Sequence, residues 1–94
     1  MYNLPVKKIP YQRWMTKAAQ KVVDDFNKSG KHLTLSFFSE LEGREELECM
    51  LDEGMYDFIY PDCPESKALK VMVDEAEAAQ YPRYLGFDIE DLVI

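Results

Sequence analysis

Apolar residues recur with a helical period in two segments of the chain. Three- and four-residue spacings run from Pro10 to a Ser29-Gly30 stop, and a second stripe runs from Pro64 to a Tyr81-Pro82 break. Both segments are therefore predicted to be amphipathic helices, with Asp62 or Cys63 capping the second. The stripes consist of Tyr11, Trp14, Met15, Ala18, Ala19, Val22, Val23 and Phe26, and of Leu69, Met72, Val73, Ala76 and Ala79.

In two other segments the side chains alternate between two sides with a period of two, which predicts strands. Residues 32–38 place Leu33, Leu35 and Phe37 on one side. Residues 56–60 place Tyr56, Phe58 and Tyr60 together, with Phe58 expected in the core, and Pro61 ends this strand. Residues 1–9 are a candidate for a further edge strand, because prolines are tolerated at sheet edges.

A third helix is expected between the two strands. Ser39 and Glu42 have the spacing of a capping box, and Gly54 ends the helix after about Glu53. Gly43 weakens the first turn, so Arg44 is an alternative start. The tail is open to two interpretations: Asp88 caps a short helix, or residues 92–94 form an edge strand.

The predicted order is α-β-α-β-α followed by a tail, in one domain covering residues 1–94. It indicates an α/β or α+β fold, with three helices and a small sheet of two to four strands. The roughly seventeen residues between the strands hold a helix, which favours a parallel, right-handed crossover. The alternative is a mainly helical domain, if the two apolar runs are buried helical segments.

Charge is distributed very unevenly along the chain. Residues 1–32 hold seven basic and two acidic side chains, a net charge of +5, whereas residues 33–94 hold four basic and sixteen acidic ones, a net charge of −12. Such asymmetry bears on partners and solubility rather than on fold. It therefore directs attention to surfaces.

Composition excludes several classes of protein. Residues 1–10 lack the apolar run of a leader, and the longest uncharged stretch, residues 33–39, is too short to span a bilayer. We expect a cytoplasmic protein, in the host cytoplasm if a phage encodes it. Cys49 and Cys63 fit no zinc or redox motif and are expected to be reduced thiols, Cys49 on the inner face of a helix and Cys63 exposed.

No catalytic or cofactor signature accompanies these elements. His32 is the sole histidine and is expected in a solvated turn, which removes His-built metal sites and makes a nucleophile–histidine system improbable. The four glycines stand singly, so no phosphate-binding loop is indicated. The acidic residues lack EF-hand spacing. We expect neither enzyme activity nor a cofactor or bound metal.

One segment resembles a known motif. Residues 56–62, Tyr-Asp-Phe-Ile-Tyr-Pro-Asp, look like the phosphoacceptor strand of a response-regulator receiver domain. That family also has an acidic pair after its first strand and a lysine after its last strand. Neither occurs at the matching places here, and the chain is short for that fold, so the activity is not transferred.

Acidic side chains are the main functional candidates. Several stand three or four positions apart on the helix predicted between the two strands, so they face one another. Such an array can imitate a phosphate track and occupy the Lys/Arg surface of a nucleic-acid-binding protein; the alternative is a solvated face that keeps the domain soluble. Tyr81, Arg83 and Tyr84 are expected as interface anchors. The candidate acids are Glu42, Glu45, Glu46, Glu48, Asp52, Glu53, Asp74 and Glu75.

The basic first helix allows another kind of contact. Arg13, Lys17 and Lys21 stand four apart, although Lys21 can instead pair with Asp24 or Asp25. Direct nucleic-acid binding is disfavoured, because the whole molecule is anionic. The positive face is a better match for the negative face of a second copy, which would give a homo-oligomer.

These patterns favour a non-enzymatic binding protein that inhibits or modulates a larger partner with a basic, nucleic-acid-handling surface. In size and charge the chain is similar to phage and mobile-element counter-defence proteins, including anti-CRISPR and DNA-mimic antirestriction proteins; no motif carries this resemblance. The alternatives are an antitoxin-like or immunity-like partner of a basic toxin and a self-assembling accessory subunit. No membrane partner is expected.

Overall fold

A computed structural model describes residues 2–80 and 87–92. Three antiparallel strands form one sheet in which they lie side by side in chain order, so the amino-terminal strand lies at an edge, as its prolines predict. The order in the described residues, β-α-β-α-β-α, adds this strand to the predicted series and gives an α+β fold. The elements are β1 (Tyr2–Pro5), α1 (Lys17–Lys28), β2 (Thr34–Phe37), α2 (Arg44–Glu53), β3 (Tyr56–Ile59), α3 (Pro64–Ala78) and a 3-10 turn (Ile89–Asp91).

One face of the sheet carries the hydrophobic core. Leu35 and Phe37 of β2 are fully buried, and Leu4 lies opposite Leu35 on β1. Tyr56 lies opposite Phe37 on β3 and is also buried, with the two ring centroids 5.9 Å apart. The predicted alternation is therefore confirmed. Phe58 is only half-buried but packs against this core, as predicted.

The first helix begins later than predicted. Thr16 caps α1 by accepting a hydrogen bond from the Ala19 amide at 3.2 Å, and residues 11–16 precede the helix. The Asn27 side chain bonds both backbone groups of Ile9 at 3.0 Å. A continuous helix would separate these two residues by about 27 Å, so a start at Pro10 is wrong.

The second helix uses the alternative start. α2 begins at Arg44 with Gly43 in the capping position and no capping side chain, so the Ser39–Glu42 capping box is wrong. The Ser39 hydroxyl lies instead 3.8 Å from the Met50 sulfur. The predicted stop is confirmed: Gly54 adopts φ +67°, a left-handed conformation that glycine tolerates best.

The predicted parallel crossover is also wrong, because β2 and β3 are antiparallel. The connection leaves the sheet at Phe38 and returns to the same end at Met55. The Phe38 amide donates to the Met55 carbonyl at 3.4 Å. Residues 38–55 therefore start and finish at the same end of the sheet, and α2 does not carry the chain to the opposite end.

The third helix lies where its pattern predicts. Pro64 is its first residue and Cys63 its N-cap. Leu69, Val73 and Ala76 are buried, and α3 packs against α1. Ala79, which was predicted to continue the buried stripe, caps the carboxyl end of the helix and is exposed.

The described part of the tail agrees with the first predicted interpretation, a short helix capped by Asp88, whereas the edge strand over residues 92–94 is described only at Leu92. Asp88 forms a capping box with Asp91 around the 3-10 turn, and Leu92 makes an isolated antiparallel bridge with Val6. Residues 93–94 and the predicted Tyr81-Pro82 helix break lie outside the described residues.

The environments of the two cysteines are the reverse of those predicted. Cys49 is exposed and Cys63 is half-buried, and both are free thiols. The inner face of α2 is occupied by Leu47, Met50 and Leu51, which turns Cys49 outward. His32 is exposed, as predicted, and its Nδ1 lies 3.1 Å from the Val6 carbonyl oxygen.

Candidate acidic interface

The outer surface of α2 is acidic from its first turn to its last. Leu47, Met50 and Leu51 anchor the inner side of the helix in the core. The remaining positions, apart from Arg44 and Cys49, carry carboxylates, and all of these are exposed. The carboxylates belong to Glu45, Glu46, Glu48, Asp52 and Glu53, and Glu42 is exposed just before the helix.

These carboxylates act electrostatically on the Cys49 thiol. Its pKa is raised, first by the charge of Glu53, then by partial desolvation, and then by Glu46 and Asp52. Negative neighbours disfavour the thiolate. Three carboxylates from two successive turns therefore act on one exposed point of α2.

A cleft of about 240 Å³ continues this acidic surface onto the carboxyl-terminal turn. Glu48 and Asp52 of α2 line one side, and Asp88 and Glu90 line the other. Arg44 is the single basic residue among those that line it. Four carboxylates from two elements thus meet around one concave surface, which suits the cationic side chains of a partner.

The predicted acids of α3 occupy a different environment. Asp74 pairs with Lys70 at 2.9 Å on the same helix, and Glu75 lines a groove between α1 and α3. The structure thus brings the α2 acids together with Asp88 and Glu90 rather than with Asp74 and Glu75. Residue spacing does not predict a cleft shared by α2 and the tail, because it does not determine which way the tail folds.

The basic stripe of the first helix is shorter than predicted. Arg13 precedes α1, so it does not continue the helical spacing of Lys17 and Lys21. Lys21 pairs with Asp25 at 2.8 Å, one of the two partners predicted for it. Asp24 instead accepts a hydrogen bond from the Tyr11 hydroxyl.

The predicted anchors Tyr81, Arg83 and Tyr84 lie outside the described residues. Within residues 2–80 and 87–92, no group of three His, Cys, Asp or Glu side chains is placed to hold a metal ion. Over those same ranges, no helix has the length and apolar character needed to cross a membrane.

No known family model matches the chain, and searches of curated proteins and of solved structures gave no significant match.

Proposed function

We propose that this protein is a non-enzymatic inhibitor or modulator that covers the basic, nucleic-acid-handling surface of a larger protein. The observation that supports it is the acidic exterior of α2, which carries five exposed carboxylates. None of its five acids belongs to an ion pair among the described residues, where the pairs are Lys21–Asp25 and Lys70–Asp74. These carboxylates remain available to cations from outside the chain.

The arrangement of the acids favours an extended basic surface over a single cation. Helical neighbours three or four positions apart lie about 5–6 Å from one another, which is comparable with the spacing of phosphates along a nucleic-acid strand. A surface rich in Lys and Arg that binds phosphates would therefore meet several carboxylates at once. Electrostatic attraction of this kind steers association and weakens as salt increases.

The core side of α2 supports the same interpretation. Leu47, Met50 and Leu51 are 2–3% exposed, so the helix is fixed to the domain while its acids project outward. A fixed array loses less conformational entropy on binding than a flexible acidic tail.

The test is capture from a lysate of the source organism on the immobilised protein at low salt, followed by a salt step and mass spectrometry. The wild type is compared with a Glu45→Lys/Glu48→Lys variant of α2. The matched control is Asp62→Lys/Glu77→Lys, which changes the net charge by the same amount at two exposed positions outside α2.

We expect a nucleic-acid-handling protein to be captured by the wild type and the control but not by the α2 variant. Added wild-type protein should then displace nucleic acid from the captured protein. A basic toxin without nucleic-acid function would support the antitoxin-like alternative. Recovery of this chain alone would contradict the inhibitor and favour self-assembly.

A further inference from the structure

An exposed apolar pair stands at the end of the acidic helix. Phe38 directly follows β2 and Met55 directly precedes β3, and the 3.4 Å bond between their backbones keeps them opposite each other. Their neighbours Phe37 and Tyr56 point into the core. Because side chains alternate along strands, Phe38 and Met55 point to the opposite, open face of the sheet.

This pair is more exposed than a packing role requires. Phe38 is 53% exposed and Met55 is 39% exposed. Aromatic residues and methionine are enriched at protein interfaces, and methionine adapts its shape to different partners. The pair therefore offers an apolar surface that folding leaves uncovered.

Two carboxylate residues flank the pair along the chain. Glu53 lies two residues before Met55, and Glu40 lies two residues after Phe38, so each Cα lies within about 7 Å of a member of the pair. Both acids are exposed. No Lys, Arg or His occurs in residues 33–43 or 45–66. An exposed apolar surface with carboxylates beside it is complementary to a side chain that is both apolar and cationic.

Arginine meets that description better than lysine. Its planar guanidinium stacks on an aromatic face while its donors reach carboxylates, and its stem covers apolar surface. We infer that Phe38 and Met55 form a seat for an arginine side chain of the basic partner, with Glu40 and Glu53 receiving the guanidinium. This inference rests on the proposed function and names the chemistry of the residue that the partner inserts.

The experiment uses two capped peptides of equal charge, hexaarginine and hexalysine, titrated calorimetrically at low salt. We expect the wild type to prefer hexaarginine by at least about threefold, as exposed cation–π contacts allow. Phe38→Ser should reduce that preference without changing the affinity for hexalysine. Phe38→Leu, which keeps an apolar side chain but removes the ring, should reduce it as well.

The control is Val71→Ser on α3, where the apolar side chain is 57% exposed. This variant should keep the preference for arginine. The methyl resonance of Met55 gives a direct readout, because a guanidinium bound against Phe38 and Met55 would shift it. Circular dichroism of each variant confirms that folding is intact.

The two proposals fail in different ways. If Glu45→Lys/Glu48→Lys weakens the binding of both peptides equally while Phe38→Ser changes neither affinity, the arginine seat is wrong and the acidic interface is still supported. If the α2 variant binds both peptides as the wild type does, the proposed function itself fails. A wild-type dimer that Phe38→Ser dissociates in sedimentation would show that a second copy covers the pair, and would overturn the arginine seat.

Discussion

Asn27 on α1 holds Ile9, eighteen residues earlier, through two hydrogen bonds of 3.0 Å. The amide nitrogen donates to the Ile9 carbonyl, and the amide oxygen accepts from the Ile9 N–H. One side chain thus replaces the strand partner that the backbone lacks at this position. Ile9 itself is 2% exposed, so the contact also fixes a core residue.

Replacing Asn27 by alanine should destabilise the fold by about 2 kcal/mol, because the N–H and the carbonyl of Ile9 both lose their partner. Urea unfolding measures the loss. Lys28→Ala is the control, since this exposed neighbour should change stability by less than about 0.5 kcal/mol. Equal effects of the two substitutions would show that the bonds to Ile9 contribute nothing.

Gly54→Ala should destabilise the protein by about 1–2 kcal/mol, because the residue has a left-handed backbone conformation. No atom lies within 4 Å of the position that a Cβ would take, so the cost is conformational and not steric. Gly54→Asn should lose less stability than Gly54→Ala, since asparagine tolerates the left-handed backbone region better. Chemical denaturation ranks the three proteins, and an alanine variant as stable as the wild type would contradict the argument.

Ser66→Ala should increase the free energy of unfolding by about 1 kcal/mol. The Ser66 hydroxyl is buried and has no hydrogen-bond partner among the described residues, and an unpaired buried polar group is costly. Ser39→Ala serves as an exposed control and should be nearly neutral. A loss of stability in the Ser66 variant would mean that the hydroxyl makes a favourable contact.

The thiol of Cys49 should react slowly with iodoacetamide at pH 8. Its raised pKa lowers the fraction present as thiolate, which is the reactive form. Glu53→Gln removes the largest cause of the shift, so it should accelerate alkylation and move the pH–rate profile to lower pH. Peptide mass spectrometry follows this residue separately from Cys63. An unchanged profile would show that the carboxylates do not act on this site.

Periodicity predicted the elements well where packing follows it. The alternation around Leu35 and Phe37 gave a strand, and the stripe through Leu69 and Val73 gave a helix, because in both the buried side is apolar throughout. The apolar stripe before α1 gave a wrong helix start, because Met15 is buried although it lies in a turn that precedes the helix. Apolar spacing alone does not distinguish these cases.

The direction of β3 and the extent of the acidic surface needed information that spacing does not contain. A connection long enough for a crossover is also long enough to go out and return, as residues 38–55 do. The cleft that Glu48 and Asp52 share with Asp88 and Glu90 depends on how the tail packs. The exposure of Phe38 likewise follows from strand pairing, which places it beyond the last buried pair.

The out-and-back connection that carries α2 has an evolutionary consequence. Its two ends meet at Phe38 and Met55, and the inner apolar side of α2 lies in the core while the outer side is exposed. Substitutions on the outer side leave the strand register and the core untouched. Selection can therefore change the surface charges of this helix while the scaffold beneath it stays constant.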